Sequence, residues 1–230
     1  MIVAATRELE TSLLATHACV GGMDEVGRGA IAGPVVVGLA LVDASCGEAP
    51  AGLADSKLLT PIGRNRLVEP CRAWTISLTL GQASPAEIDR WGIIAALRLA
   101  GRRALDHARK AGHVPDIIIL DGSHDWLTVP PPDLLCPPDH PDLDSTLPCV
   151  PRTMTQVKAD RHVAVCAAAS VVAKVERDAL MADLDDPGYG WASNKGYLSP
   201  AHRAGLEALG PSPWHRHSWK IPGKRMKTHG

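Results

Sequence analysis

Three carboxylates stand where apolar segments of this chain give out. Asp24 and Glu25 lie between "ACVGGM" and the triplet Gly27-Arg28-Gly29, and Asp121 ends "PDIIIL". A carboxylate at a buried edge costs desolvation energy unless a cation or hydrogen-bond donors meet it. Oxygen donors suit hard divalent ions such as Mg²⁺ and Mn²⁺, which Cys and His serve poorly. Asp beside Gly is also ordinary turn chemistry, so Asp121-Gly122 alone decides nothing. Neighbouring strand residues face opposite ways. Asp24 and Glu25 therefore converge only if Glu25 already lies in the glycine turn; otherwise one of the two is merely solvated.

Spacing excludes two phosphate-binding readings. Gly22 to Arg28 spells GxxxxG, but Arg28-Gly29 stands where a phosphate loop needs Lys-Ser/Thr, which argues against a nucleoside triphosphatase. Gly27 to Gly33 approximates a dinucleotide fingerprint, but its third glycine is displaced by one place and a strand-like run follows where a helix is required.

The elements that must position these residues form an α/β layout. Residues 18–24 and 34–42 are rich in β-branched and apolar residues around a Gly-rich link, which predicts a hairpin. Arg72 to Gln82 alternates Trp74, Ile76, Leu78 and Leu80, a period-two strand pattern. Ser84, Pro85 and Glu87 open a helix that closes at Gly112. "PDIIILDG" reads as a buried strand. Val163 to Leu184 and the segment opened by Ser199-Pro200 have helical spacing. Between 123 and 152 Pro and Asp dominate without periodicity, predicting a long, partly mobile surface loop. Its Cys136, His140 and Cys149, irregularly spaced and without a fourth ligand nearby, fall short of a zinc site.

With 230 residues, 45% hydrophobic and 21% charged at a mean hydropathy of -0.01, the chain has the make-up of one soluble globular domain with room for a small appendage. Aromatic residues reach only 3% and Phe is absent, so the core must be built from Ala, Val, Leu and Ile, and any exposed aromatic is informative. A net charge of -1 excludes attachment to nucleic acid by overall charge, yet leaves local patches open. One is the basic tail from His215 to Gly230, whose plainer reading is a solvated terminus. Six cysteines without a CxxC pair, no secretory signal and no apolar run near the roughly 20 residues of a membrane span lead us to expect a reduced, cytoplasmic protein.

The chain also resembles the bacterial ribonuclease HII family, the type 2 ribonucleases H. The resemblance runs through "GMDEVGRGAIAGPVVVGLALV", "LADSKLL", "SPAEID", "IIILDG", "VKAD", "AAASVVAKVERD" and "KGYLSPAH". "DEVGRG" followed by "SxxAKVxRD" is its most specific part, and Arg28 favours this type over ribonuclease HIII. The resemblance implies a ribonuclease H-like α/β fold, a mixed sheet flanked by helices. A catalytic domain would span 1–184, with the Pro/Asp-rich insertion at about 123–152, and a small helical C-terminal region with a basic tail would span 185–230.

The implied activity is hydrolysis of the RNA strand of RNA/DNA hybrids and nicking 5′ of single ribonucleotides in duplex DNA, leaving 3′-hydroxyl and 5′-phosphate ends. The family's four acidic ligands fall on Asp24, Glu25, Asp121 and Asp160, which would hold two Mg²⁺ or Mn²⁺ ions. Gly27, Arg28 and Gly29 would meet the 2′-hydroxyl and the neighbouring phosphate, and Tyr197 would recognise the ribonucleotide junction. Lys57, Lys158, Lys174, Arg177, Lys195 and the basic tail are candidate phosphate contacts. Lys174 and Arg177 equally suit pairing with Asp178 or a catalytic carboxylate, while Ser170 is expected to pack or to bond its own helix.

Two features depart from the family pattern. The 39 positions between Asp121 and Asp160 (160 minus 121) exceed the family's usual spacing, as though the insertion loops out, and Asn194 stands where many relatives carry His. The implied protein is a monomer without a membrane; a sliding-clamp contact is not legible. A hybrid-binding module that has lost catalysis would need an acidic position replaced, and all four are present. An exonuclease of the DEDD type would space its first two carboxylates as Asp-x-Glu, whereas here they adjoin.

Overall fold

The computed structural model describes residues 4–131 and 140–222. In chain order they form α1 (Glu8–Leu14), β1 (Val20–Val26), β2 (Val35–Val42), α2 (Pro61–Trp74), β3 (Ser77–Ala83), α3 (Pro85–Lys110), β4 (Ile117–Asp121), β5 (Arg152–Gln156), α4 (Ala159–His162), α5 (Ala164–Asp183), α6 (Trp191–Asn194) and α7 (Pro200–Leu209). One mixed sheet runs β3-β2-β1-β4-β5, with helices on both faces. The expected hairpin is β1 against β2, antiparallel from Val20↔Val42 to Val26↔Val36. β4 lies parallel to β1 and β5 parallel to β4, each reached by a crossover.

Local chemistry sets the helix starts. Ser84 accepts from the Glu87 amide while Glu87 bonds back to Ser84, a complete capping box with Pro85 at the first helical position of α3. Ser199 caps α7 by accepting from the His202 amide, with Pro200 at the first helical position. Thr60 and Pro61 open α2, which ends at Trp74. The strand expected from Arg72 therefore begins only at Ser77: the alternation of Trp74 with Ile76, Leu78 and Leu80 runs across a helix–strand junction.

The two faces of the sheet are built differently. On one, Val35, Val37, Leu39 and Leu41 of β2 meet Leu97, Ala100 and Ala104 of α3. On the other, the alanine-rich α5 lies close, because a Cβ at Gly38 would sit 2.4 Å from the Ala169 carbonyl oxygen and one at Gly22 2.7 Å from the Cys166 amide nitrogen. Overpacking of this kind costs about 1–3 kcal/mol, so the two glycines fix how near α5 comes. The start of α5 is held by Glu10, which is buried and accepts from the Val165 amide at 3.1 Å beside Arg7 at 3.4 Å. Burial pushes the Glu10 carboxyl up to about 7.

At the β3 edge, side chains of α3 bind outward-facing carbonyls: Arg103 donates to Gln82 O at 2.7 Å and His107 Nδ1 to Leu80 O at 2.7 Å.

The insertion departs from expectation in its described parts. Trp126 and Leu127 are buried against the α3 face rather than looped out. Arg98 pairs with Asp142 at 2.6 Å, both nearly buried. Arg102 donates to the carbonyls of Pro141, Asp144, Leu147 and Pro148. Two buried guanidiniums need many acceptors, and the Pro-rich backbone, poor in donors of its own, supplies them. Residues 132–139, Cys136 among them, lie outside the described residues, as do 223–230 of the basic tail.

Candidate active site

Strand register sets the first pair. Met23 of β1 lies opposite Leu120 of β4, so Asp24 and Asp121 follow side by side at the ends of two parallel neighbours. Alternation puts both on the α5 face, with Val20 and with Ile117 and Ile119. Asp24 is 3% exposed; burial first, then the charges of Glu25 and Asp121, push its carboxyl up to about 8, against a hydrogen bond from Ser170. Ser170 thus reaches across to the site, also bonding Ser56 Oγ at 3.0 Å, rather than to its own helix backbone.

Glu25 is inside β1, opposite Val37, and not in the turn after it. Nor is it merely solvated: its side chain is 14% exposed and accepts from Arg28 at 3.1 Å. Burial raises its pKa, Arg28 opposes the rise and Asp121 adds to it, so the end of the strand brings Glu25 into the field of the carboxylates on the other face.

Asp160 comes from α4, whose preceding Lys158 adopts the left-handed conformation at φ 59. The Asp160 amide donates to Asp121 Oδ1 at 3.3 Å, and its carboxylate accepts from Lys57 Nζ at 3.1 Å. Burial and the charge of Asp121 raise the Asp160 pKa against Lys57. Burial alone would lower Lys57, but Asp160, with Asp24 and Asp55 adding to it, makes the net shift upward. The loop that carries Lys57 is set by Asp55, fully buried, which accepts from the Lys57 amide at 2.8 Å and from Arg161 at 3.1 Å.

Asp24, Glu25 and Asp160 therefore each feel the charge of Asp121, and the donor set is oxygen only, as a hard divalent ion requires. Among the described residues, no three Asp, Glu, His or Cys side chains are gathered round a single point. Lys57 pairs with Asp160 and Arg28 with Glu25, so two of the four acids have a cation beside them.

Beside the acids, residues 27–33 form a loop whose carbonyls turn inward. Arg216, fully buried, donates to Arg28 O at 2.8 Å, to Gly27 O at 2.7 Å and to Gly33 O at 3.1 Å. Gly27 has φ +84, and a Cβ there would lie 2.0 Å from Arg177 Nε, so neither backbone nor space admits another residue. Among the described residues the exposed amides of Arg28 and Gly29 donate to no protein acceptor. Tyr197, 39% exposed, adjoins this loop: a Cβ at Gly29 would lie 4.0 Å from its Cε1.

The remaining cations divide. Lys174 pairs with Asp178 at 2.6 Å and Lys195 Nζ donates to Asp178 O at 3.0 Å, so both point along α5 rather than to the four acids. Arg177 is not a phosphate contact: it is fully buried and donates to Pro34 O, Ala32 O and Lys195 O. In the tail segment His215 and Arg216 are likewise buried, not solvated. Asn194 fixes the turn into Tyr197, accepting from Gly196 N at 2.9 Å and donating to Tyr189 O at 2.7 Å. Sequence reasoning missed Arg216 and the reach of Ser170; a lone hydroxyl in "AAAS" was the only local sign of the latter.

The family model described as Ribonuclease HII matches residues 21–221. A Ribonuclease HII of Streptomyces coelicolor is 45% identical over 218 residues, covering 93% of this chain and 83% of the relative. Among solved structures, the ribonuclease H2 of Pyrococcus horikoshii matches with a TM-score of 0.62 at 24% identity, over 88% of this chain and 94% of the other. Bst-RNase HIII, solved in complex with Mn²⁺, matches with a TM-score of 0.55 at 22% identity, over 88% of this chain and 67% of the other.

Proposed function

The chain belongs to the ribonuclease HII family and is an endoribonuclease of the ribonuclease H type acting on RNA/DNA hybrids; from that premise we propose that it nicks duplex DNA 5′ of a single embedded ribonucleotide, using two divalent ions. The observation that carries this reading is the in-register pair Asp24 and Asp121, with Glu25 and Asp160 in the same field, beside a loop that offers the amides of Arg28 and Gly29.

Asp24, Glu25, Asp121 and Asp160 would hold the ions; that a neighbour of the same fold was solved in complex with Mn²⁺ supports the kind of ion. When bound, such ions activate water, neutralise phosphoryl oxygens and stabilise the leaving 3′-oxygen. The protein's own part is positional. Arg216 keeps the loop carbonyls turned in, so its amides face the sugar, where a 2′-hydroxyl both donates and accepts. Glycine on either side of Arg28 lets the backbone approach the ribose, and the exposed Arg28 guanidinium is in reach of a phosphate. Tyr197 offers a flat face to the neighbouring sugar or base, a contact that tolerates any sequence. Lys57, with its side chain 70% exposed, adds a phosphate contact that salt weakens.

The test is incubation with Mg²⁺ or Mn²⁺ and a duplex bearing one ribonucleotide. A single nick on its 5′ side, with 3′-hydroxyl and 5′-phosphate ends, is expected. No cleavage with either ion, or equal cleavage of an all-DNA duplex, would remove the reading.

A further inference from the structure

Two buried histidines take no part in the chemistry above, and their hydrogen bonds admit one proton arrangement. The Ser212 amide lies 2.9 Å from His215 Nδ1. An amide N–H only donates, so His215 Nδ1 is bare and its proton sits on Nε2. At the other end His202 Nδ1 lies 3.0 Å from Tyr197 O. A carbonyl only accepts, so His202 Nδ1 carries the proton and Nε2 is bare. The two Nε2 atoms are 3.0 Å apart, and the arrangement closes: His215 Nε2–H donates to His202 Nε2. Both rings are neutral and wholly buried, with the Tyr189 ring centroid 4.7 Å from that of His215.

The chain of bonds begins on the segment that also holds the substrate loop. His215 bridges to Ala32, Trp214 O accepts from Gly33 N at 2.8 Å, and the next residue, Arg216, binds the carbonyls of Gly27 and Arg28. Residues 212–216 thus grip both sides of one recognition surface: the loop directly, and Tyr197 through two imidazoles.

We propose that His202 and His215 are positioning residues that set Tyr197 against the Gly27-Arg28-Gly29 loop and so establish the preference for a single-ribonucleotide junction over a continuous hybrid. This rests on the reading of Tyr197 as the junction contact. An imidazole suits the task because it is rigid and, when neutral, donates at one end and accepts at the other, so a displacement of one segment is transmitted to the next.

The test compares His202→Leu, His202→Asn and Tyr197→Ala with the parent chain, measuring kcat and KM on a single-ribonucleotide duplex and on an uninterrupted RNA/DNA hybrid. His202→Leu is expected to lower the junction-to-hybrid ratio of kcat/KM by about tenfold or more, the scale of a misplaced contact. Asn, which keeps a donor near the Nδ1 position but gives up the acceptor that meets His215 Nε2, is expected to restore only part of that ratio. Equal loss on both substrates, or an unchanged ratio, would overturn the inference. If Tyr197→Ala leaves the ratio unchanged, the reading of Tyr197 itself fails; if Tyr197→Ala lowers it and His202→Leu does not, only the histidine role fails. Should His202→Leu not fold, ¹⁵N spectra of the parent chain decide: a proton on His202 Nδ1 and on His215 Nε2 is expected, and any other tautomer pair overturns the assignment.

Discussion

The acidic cluster and the loop beside it handle buried charge in opposite ways. Asp24, Glu25, Asp121 and Asp160 bring like charges together, and among the described residues the only cations paired with them are Lys57 and Arg28, each from an exposed position. Arg177 and Arg216, close by, are buried and among the described residues form no ion pair with a carboxylate; their guanidiniums are bonded to carbonyls instead. The first region is electrostatically incomplete and suited to receive cations. The second has its hydrogen bonding spent on the protein itself, which makes it a rigid wall for the substrate. Repulsion is tolerable where an ion is to be taken up, whereas a surface that reads a sugar must hold its shape beforehand.

The contrast predicts opposite consequences for removing charge. Asp24→Asn should lower turnover by at least about a thousandfold, roughly 4 kcal/mol of transition-state stabilisation, without lowering the melting temperature of the metal-free protein. Near-normal rates in that variant would remove Asp24 from the ligand set. Arg216→Met should instead unfasten the loop, orphaning buried carbonyls at about 1–3 kcal/mol each. Urea titration should record the loss, and an unchanged midpoint would show that the loop holds without it.

Adding Mg²⁺ or Mn²⁺ should stabilise the parent protein. An ion at about a hundred times its Kd adds about 2.7 kcal/mol. Calorimetry should find the gain in the parent and little of it in Asp24→Asn; an equal gain in both would place the ion elsewhere. The smallest effect is expected at Glu10, which holds the start of α5 and belongs to neither region. Its pKa is raised in the fold from 4.5 to about 7, so its favourable contribution is complete below 4.5 and is lost as pH rises through 7. Glu10→Gln should flatten stability across that window and raise Tm at pH 8 by about 2–4 °C, the size of a 1 kcal/mol change. A parallel pH dependence in both proteins would show that another group titrates there.

How much of this was legible in the sequence depended on how local the cause was. The Ser84 capping box, the Gly-linked hairpin and the aliphatic run to Asp121 announce themselves within a few residues, and the structure has all three. The α2 helix was not legible because Gly63 and Pro70 interrupt its pattern and Trp74 extends the alternation of the strand that follows. β5 escaped notice as five half-exposed residues at a sheet edge, behind a Pro-rich stretch that resembled a loop. At the site, Asp24 and Asp121 were readable because strand ends are local features. The roles of Ser170 and Arg216 depend on partners far along the chain: Ser170 bonds Ser56, 114 residues away, and Arg216 binds Gly27, 189 residues away. Those of His202 and His215 rest on partners within 13 residues, but across an irregular segment with no periodicity to announce the contact. Glu25 was misjudged for a related reason, since Arg28 and the field of Asp121, not a change of backbone, bring it to its neighbours.

The side chains laid along β3 have a consequence for the protein in concentrated solution. A free strand edge is a template on which a second copy can add its own strand. With Arg103 on Gln82 O and His107 on Leu80 O, two of the acceptors that such an addition would use are already bound. Edge-to-edge stacking of copies through β3 must first break those bonds, so the same helix that supports the sheet from one face also guards its open border against aggregation.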